Sequence, residues 1–291
     1  MHLPDGGCSG DCTSSPPIGC PSPNPNGSEK CAGITPQAKT GKSDAAVPQN
    51  PNSPIQPSTN LGQAAKQVAI VGDSQSAGPY GANLSDLIRN NTTAKLNFFG
   101  GACSAQIRHW VEGGFTAIPS ACFRTCESDD AAPSCSPQVI PGTQTKRIAS
   151  IIANHPKVDL FIITLGDNHF DSPSTVTREV PLLVNPILEA GRSCVWVTPT
   201  RGLERFANKE QLIKTLTDAL AAVKAKMGRG CTLVDSYRQG ADVLKTNSDL
   251  KVMNDSLLND PMRLHPQGAG AKLWADRVLE KLLKDGVLAS R

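Results

Sequence analysis

The sequence predicts an α/β protein built on one doubly wound parallel sheet, with helices on both faces. Three observations predict it. Five short apolar runs are bounded by Gly, Pro or polar residues, and near-continuous apolar character suits strands buried on both sides. Stretches with aliphatics at three- and four-residue spacing separate them, and alternation of this kind lays helices over both faces of a sheet. Residues with chemistry to offer stand just after the apolar runs, at the carboxyl ends where such sheets hold their sites.

The first 64 residues come before this pattern. They are crowded with Pro, Gly, Ser and Asn and carry almost no aliphatic periodicity. Such a segment cannot bury enough apolar surface to offset its ordering entropy, so 1–64 is expected to be a disordered tail or linker. Hydrophobic content over the 291 residues is 38%, a low value that this tail explains. Residues 65–291 are long enough for one substantial core.

Within that domain the strands are expected at 67–72, 95–100, 160–165, 193–198 and 231–235. The helices are expected at 82–89, 143–154, 176–190, 209–227 and 269–284, with Gly191 and Gly228 as stops. A segment at 112–141 fits neither pattern. It carries three cysteines and reads as a long irregular insertion, of the kind that often forms a lid or binding loop.

Composition excludes several partners. Net charge is +3, aromatics are 4%, and no Lys/Arg run interleaves with aromatic residues, so nucleic-acid binding is not expected. No apolar run is long enough for a transmembrane helix. The ten cysteines divide evenly: Cys8, Cys12, Cys20 and Cys31 in the tail, and Cys103, Cys122, Cys126, Cys135, Cys194 and Cys231 in the domain. Even numbers suit disulfides in an oxidising compartment. A secreted, periplasmic or surface-held monomer is therefore expected, although no signal-peptide core follows Met1. Cys194 and Cys231 open neighbouring expected strands and are the favoured pair. Cys103 is expected to bridge to the insertion. Zinc on Cys122, Cys126, Cys135 and His109 is the weaker alternative, because the paired spacing of zinc modules is missing.

The strand ends read Gly72-Asp73-Ser74, Gly100-Gly101-Ala102-Cys103, Gly166-Asp167-Asn168-His169 and Pro199-Thr200-Arg201, and Asp260 to Pro266 precede the last helix. Acyl transfer from an ester needs a nucleophile, a base for its proton, and donors for the tetrahedral oxyanion. Ser74, where a buried strand gives way to a helix start, suits the nucleophile, and His265 suits the base. Asp260 can fix the tautomer of the imidazole. The backbone N–H groups of Ser74 and Gly101 and the Asn168 amide are the candidate oxyanion donors.

These four blocks, in this order, resemble the SGNH (GDSL-like) hydrolase family. The matching residues are Gly72-Asp73-Ser74, Gly101, Gly166-Asp167-Asn168 and His265-Pro266. The resemblance covers about 67–283. It implies a flavodoxin-type, three-layer α/β/α sandwich with a five-stranded parallel sheet, and a cofactor-free esterase, with no metal. Secreted members commonly remove acetyl groups from carbohydrate or cell-wall glycan. Lipase, thioesterase or O-acyltransferase activity on the same residues is the nearest alternative, and a non-catalytic glycan-binding module is the alternative of another class. The chain departs from the family where an Asp usually stands three residues before the histidine. Met262 is there, and the nearest acid is Asp260, five before. A backbone carbonyl is the other group that could orient the base.

Around this core, His169, Arg201 and Arg263 are candidate substrate contacts, the arginines for an anionic group. Ser76 is the rejected nucleophile. Asp73 is expected to brace its turn, His109 and His155 to lie on helix surfaces, and Trp110 to fill core.

Overall fold

The computed structural model describes residues 64–129, 132–169, 173–201 and 208–291. The expected tail and its four cysteines lie outside the described residues, apart from Ala64. The five expected strands are present as β1 (Gln67–Gly72), β2 (Lys95–Ala102), β5 (Leu160–Thr164), β6 (Ser193–Val197) and β7 (Thr232–Val234). They pair in parallel in the order β2-β1-β5-β6-β7. Strand order reverses between β1 and β5, which opens a crevice at their carboxyl ends, where sheets of this kind place ligands.

The sheet has seven strands, two more than expected. The insertion supplies β3 (Phe123–Glu127) and β4 (Gln138–Val139), both antiparallel, and the full order is β4-β3-β2-β1-β5-β6-β7. An unpaired outer edge of β2 would leave ladder groups open; β3 closes it. The Cys103–Cys122 and Cys126–Cys135 disulfides fasten the insertion, with Cα atoms 5.5 and 5.7 Å apart. Cys194–Cys231 joins the starts of β6 and β7 at 4.5 Å. These bridges consume the thiols the zinc alternative required. Among the described residues no cluster of three or more His, Cys, Asp or Glu side chains is arranged to hold a metal ion.

Alternation along the strands builds two cores. Ala69 and Val71 of β1 face Phe161, Ile163 and Trp196 and the helices α3 (Ile107–Glu112), α4 (Ile148–Asn154), α5 (Pro173–Glu189) and α6 (Lys209–Met227). Val68 and Ile70 face the other way, toward α2 (Pro79–Asn91), α7 (Asn247–Leu257) and α8 (Gly268–Lys284). There Tyr80 stacks on Trp274 with ring centroids 3.9 Å apart. Burying a large apolar side chain contributes roughly 1.5–3 kcal/mol, so this covered sheet is a rigid platform for the loops at its end.

Helix limits differ from expectation for local reasons. Pro79 starts α2 three residues early, because proline is tolerated at the first helical position. The segment expected to open a helix at 143 is extended instead. Thr145 N–H donates to the Phe115 carbonyl and Gly114 N–H to the Thr145 carbonyl, so α4 begins at Ile148. Helix α7 was not expected, and α3 was foreseen only as the helix that carries His109. No described helix is long and apolar enough to cross a membrane.

Candidate active site

β1 ends at Gly72, and Asp73 caps the short helix α1 (Ser74–Ala77) by accepting the Gln75 N–H on Oδ1 at 3.0 Å. Ser74 is therefore the first helical residue, where backbone N–H groups have no intrahelical acceptor. On the other side of the crevice, Gly166 takes a φ of +138° that favours glycine. The chain then turns through Asp167–His169 as one 3-10 turn. The third element is the loop between α7 and α8. Asp260 Oδ2 accepts the N–H groups of Leu264 at 2.8 Å and His265 at 2.9 Å, and the Asp260 carbonyl accepts Arg263 N–H at 2.9 Å.

The loop carries His265 to the serine. His265 Nε2 lies 2.9 Å from Ser74 Oγ, and His265 Nδ1 lies 3.2 Å from Asp260 Oδ2. An acceptor at Nδ1 selects the tautomer protonated there, which leaves Nε2 to accept the serine proton. Burial tends to raise the Asp260 carboxyl pKa, but the N–H groups of Leu264 and His265 and the facing imidazole outweigh it and hold the pKa low. The Ser74–His265–Asp260 constellation thus forms across 191 residues of sequence, with Asp260 five residues before the histidine. Met262, at the family's usual acid position, is 53% exposed.

Asn168 lies beside the crevice. Its amide Nδ2 donates to the Ala105 carbonyl at 2.8 Å, and its backbone carbonyl accepts from Gln106 Nε2 at 2.8 Å. A side-chain amide has two hydrogens, so one remains available. Gly101 does not stand where the sequence suggested. It lies inside β2, paired with Gly72 on one side and Arg124 on the other. A Cβ there would fall 2.5 Å from Ala77 N. The missing side chain lets α1 lie on the sheet, and β2 runs two residues beyond its expected end.

The remaining candidates separate. His169 is buried, 1% exposed, with Nε2 2.8 Å from Glu179 Oε2. This pair also fixes α3, because Glu179 Oε2 accepts Arg108 N–H. Its position is that of a structural histidine, not of an open substrate contact. Arg201 and Arg263 are exposed, and among the described residues neither guanidinium bonds to the three central side chains. Arg263 adopts a left-handed φ of +54°. Ser76 is fully buried beneath Gly72. His109 and His155 are not surface residues. His109 stacks on Phe115 at 3.8 Å, and burial pulls its pKa down to about 4. His155 is buried against Glu127 at 2.9 Å. Trp110 is core, edge-on to Phe98.

Sequence reasoning missed a buried polar group beside the serine. Gln75, Asp167 and Lys209 are joined there, with Lys209 Nζ 2.8 Å from Asp167 Oδ1. Asp73 lies against it. Full burial, then the Asp167 charge, pushes its carboxyl up to about 8. The only sequence signal for this group was Asp167 inside the Gly-x-Asn block.

No family model matches the chain, and no curated protein does. Solved structures with similarity include a family 3 carbohydrate esterase from Clostridium thermocellum (12% identity, TM-score 0.48, covering 76% of this chain and 96% of the other). A family 3 carbohydrate esterase from Talaromyces cellulolyticus matches at 13% identity and TM-score 0.42, over 75% and 97%. A lipolytic G-D-S-L family member from Veillonella parvula matches at 16% identity and TM-score 0.42, over 74% and 97%.

Proposed function

We propose that the chain is a serine esterase that hydrolyses short acyl esters, acetyl above all, on a carbohydrate. The observation that carries the reading is the unbroken line Ser74 Oγ, His265 Nε2, His265 Nδ1, Asp260 Oδ2, with contacts of 2.9 and 3.2 Å. As Ser74 Oγ attacks the ester carbonyl, its proton passes to His265 Nε2. The Asp260 carboxylate stabilises the imidazolium so formed. The tetrahedral oxyanion receives the Ser74 N–H and the second hydrogen of the Asn168 amide. His265 then protonates the departing sugar oxygen. Water, deprotonated by the same nitrogen, cleaves the acyl-enzyme and returns the proton to Ser74. Every proton in this cycle has a named carrier among the chain's own residues.

The carbohydrate half of the proposal rests on the motif resemblance and on the polar rim. Asn168, Arg201 and Arg263 stand in the loops that follow β5, β6 and α7, Asn168 half-buried and the two arginines exposed to solvent. A hydroxyl-rich carrier suits such a rim better than a lipid chain. The three disulfides support a secreted location. The test compares purified protein with Ser74→Ala on p-nitrophenyl acetate, p-nitrophenyl palmitate and acetylated xylan. The reading expects Ser74-dependent release of acetate from the first and last. Turnover confined to the palmitate ester would move the chain to the lipases. Glycan binding without Ser74-dependent turnover would make it a binding module.

A further inference from the structure

Gln75 is buried in α1 directly after the nucleophile, and the proposed cycle leaves it without a part. Its Nε2 donates to Asp167 Oδ2 at 2.5 Å and to the Leu264 carbonyl at 2.9 Å. Both amide hydrogens are thereby spent. Asp167 can only accept when ionised, so it dictates that the nitrogen, not the oxygen, of Gln75 faces it. Its other oxygen takes Lys209 Nζ, in an ion pair whose side chains are 5 and 6% exposed.

The Leu264 carbonyl belongs to the peptide unit that leads into His265. The N–H of that same unit is the one held by Asp260 Oδ2 at 2.9 Å. One peptide plane is thus pinned at both edges, by Asp260 on the N–H and by Gln75 on the carbonyl. Gln75 reaches it across 189 residues of sequence.

We infer that Gln75 is a positioning residue: it sets the Leu264–His265 peptide so that the imidazole meets Ser74, and the Asp167–Lys209 pair sets Gln75. This rests on the proposed roles of Ser74 and His265. Without the amide donor, the peptide is held at one edge and can rotate. A displacement near 1 Å at a reacting group costs about 10²-fold in rate. Gln75 does not reach the ester in this arrangement, so substrate binding stays as it was.

The test is Gln75→Met, which keeps length and removes the donor. Hydrolysis of p-nitrophenyl acetate gives kcat and KM, and the rate of Ser74 labelling by a fluorophosphonate gives a readout independent of substrate choice. The inference expects kcat and labelling rate to fall together, roughly 10- to 100-fold, with KM within about twofold. It also expects the loss to vanish in a His265→Ala background, because the two residues act through one group. Asp167→Asn, which keeps volume and an acceptor, gives the same signature with a smaller fall and serves if Gln75→Met does not fold. Unchanged kcat and labelling, a rise in KM matching the loss, or a full further loss on top of His265→Ala would overturn it. Parent activity indifferent to Ser74→Ala would instead strike the catalytic reading itself.

Discussion

Replacing Asp260 with Asn separates the two tasks this carboxylate performs. One is structural: Oδ2 receives the N–H groups of Leu264 and His265, and an amide oxygen turned to the same place keeps both. The other is electrostatic, a charge 3.2 Å from His265 Nδ1, and an amide cannot supply it. Two unit charges at that distance attract by about 5 kcal/mol at an effective dielectric of ~20. The histidine and aspartate side chains are 20 and 10% exposed. Solvent screening of such a pair brings the figure to about 2.5–5 kcal/mol. In the proposed cycle the imidazolium forms on the way to the transition state, so the difference falls on the barrier. At about 1.4 kcal/mol per factor of ten, kcat on p-nitrophenyl acetate drops roughly 10²- to 10⁴-fold while KM holds. Adding Met262→Asp does not restore it, because position 262 points to solvent. A kcat within about threefold of the parent, or rescue by Met262→Asp, would refute this reasoning.

Other outcomes follow from the same structure. The Cys194–Cys231 bridge closes a loop of 37 residues, for which chain entropy gives about 4 kcal/mol. The double Cys→Ala variant should lose stability of that order in urea, and the parent should lose more than that on reduction, which also opens Cys103–Cys122 and Cys126–Cys135. Asp73 presents the opposite sign to a paired carboxylate. Its folded pKa, about 8, lies above its ordinary value of 3.8, so between those pH values the native state holds a proton that the unfolded chain has released. Stability then falls as pH rises through that window, by at most ~1.4 kcal/mol per pH unit from this group, and levels off above it. Asp73→Asn, which keeps the cap, should grow more stable relative to the parent from pH 4 to pH 8; a constant difference would contradict the buried-proton account. Asp260 works the other way. Its depressed pKa contributes stability above the ordinary carboxylate range, and that contribution is lost on acidification through the folded value. Asp260→Asn should accordingly flatten the acid limb of a Tm–pH curve.

The parallel sheet was legible because each of its strands is apolar along its length, as burial on both faces requires. β3 and β4 were not. Arg124, Thr125 and Gln138 are half-buried or exposed, so no apolar run marks them, and their place depends on pairing with β2. Helix α7 has only Leu250, Met253 and Leu257 as its apolar stripe, too sparse to stand out. In the site, Ser74, Asn168 and His265 could be read from short local patterns. Gly101 was misread because a glycine needed for close packing under α1 looks, in sequence, like one needed for an open N–H. His155 and His169 were misplaced because the carboxylates that bury them, Glu127 and Glu179, lie 28 and 10 residues away. The Gln75–Leu264 bond has no local signature at all.

The most direct test of the central claim is the site of modification by a fluorophosphonate, mapped by peptide mass spectrometry on the full chain. The account predicts one adduct, on Ser74, that is absent from His265→Ala. An adduct on another serine, or labelling of Ser74 that His265→Ala leaves intact, would contradict it.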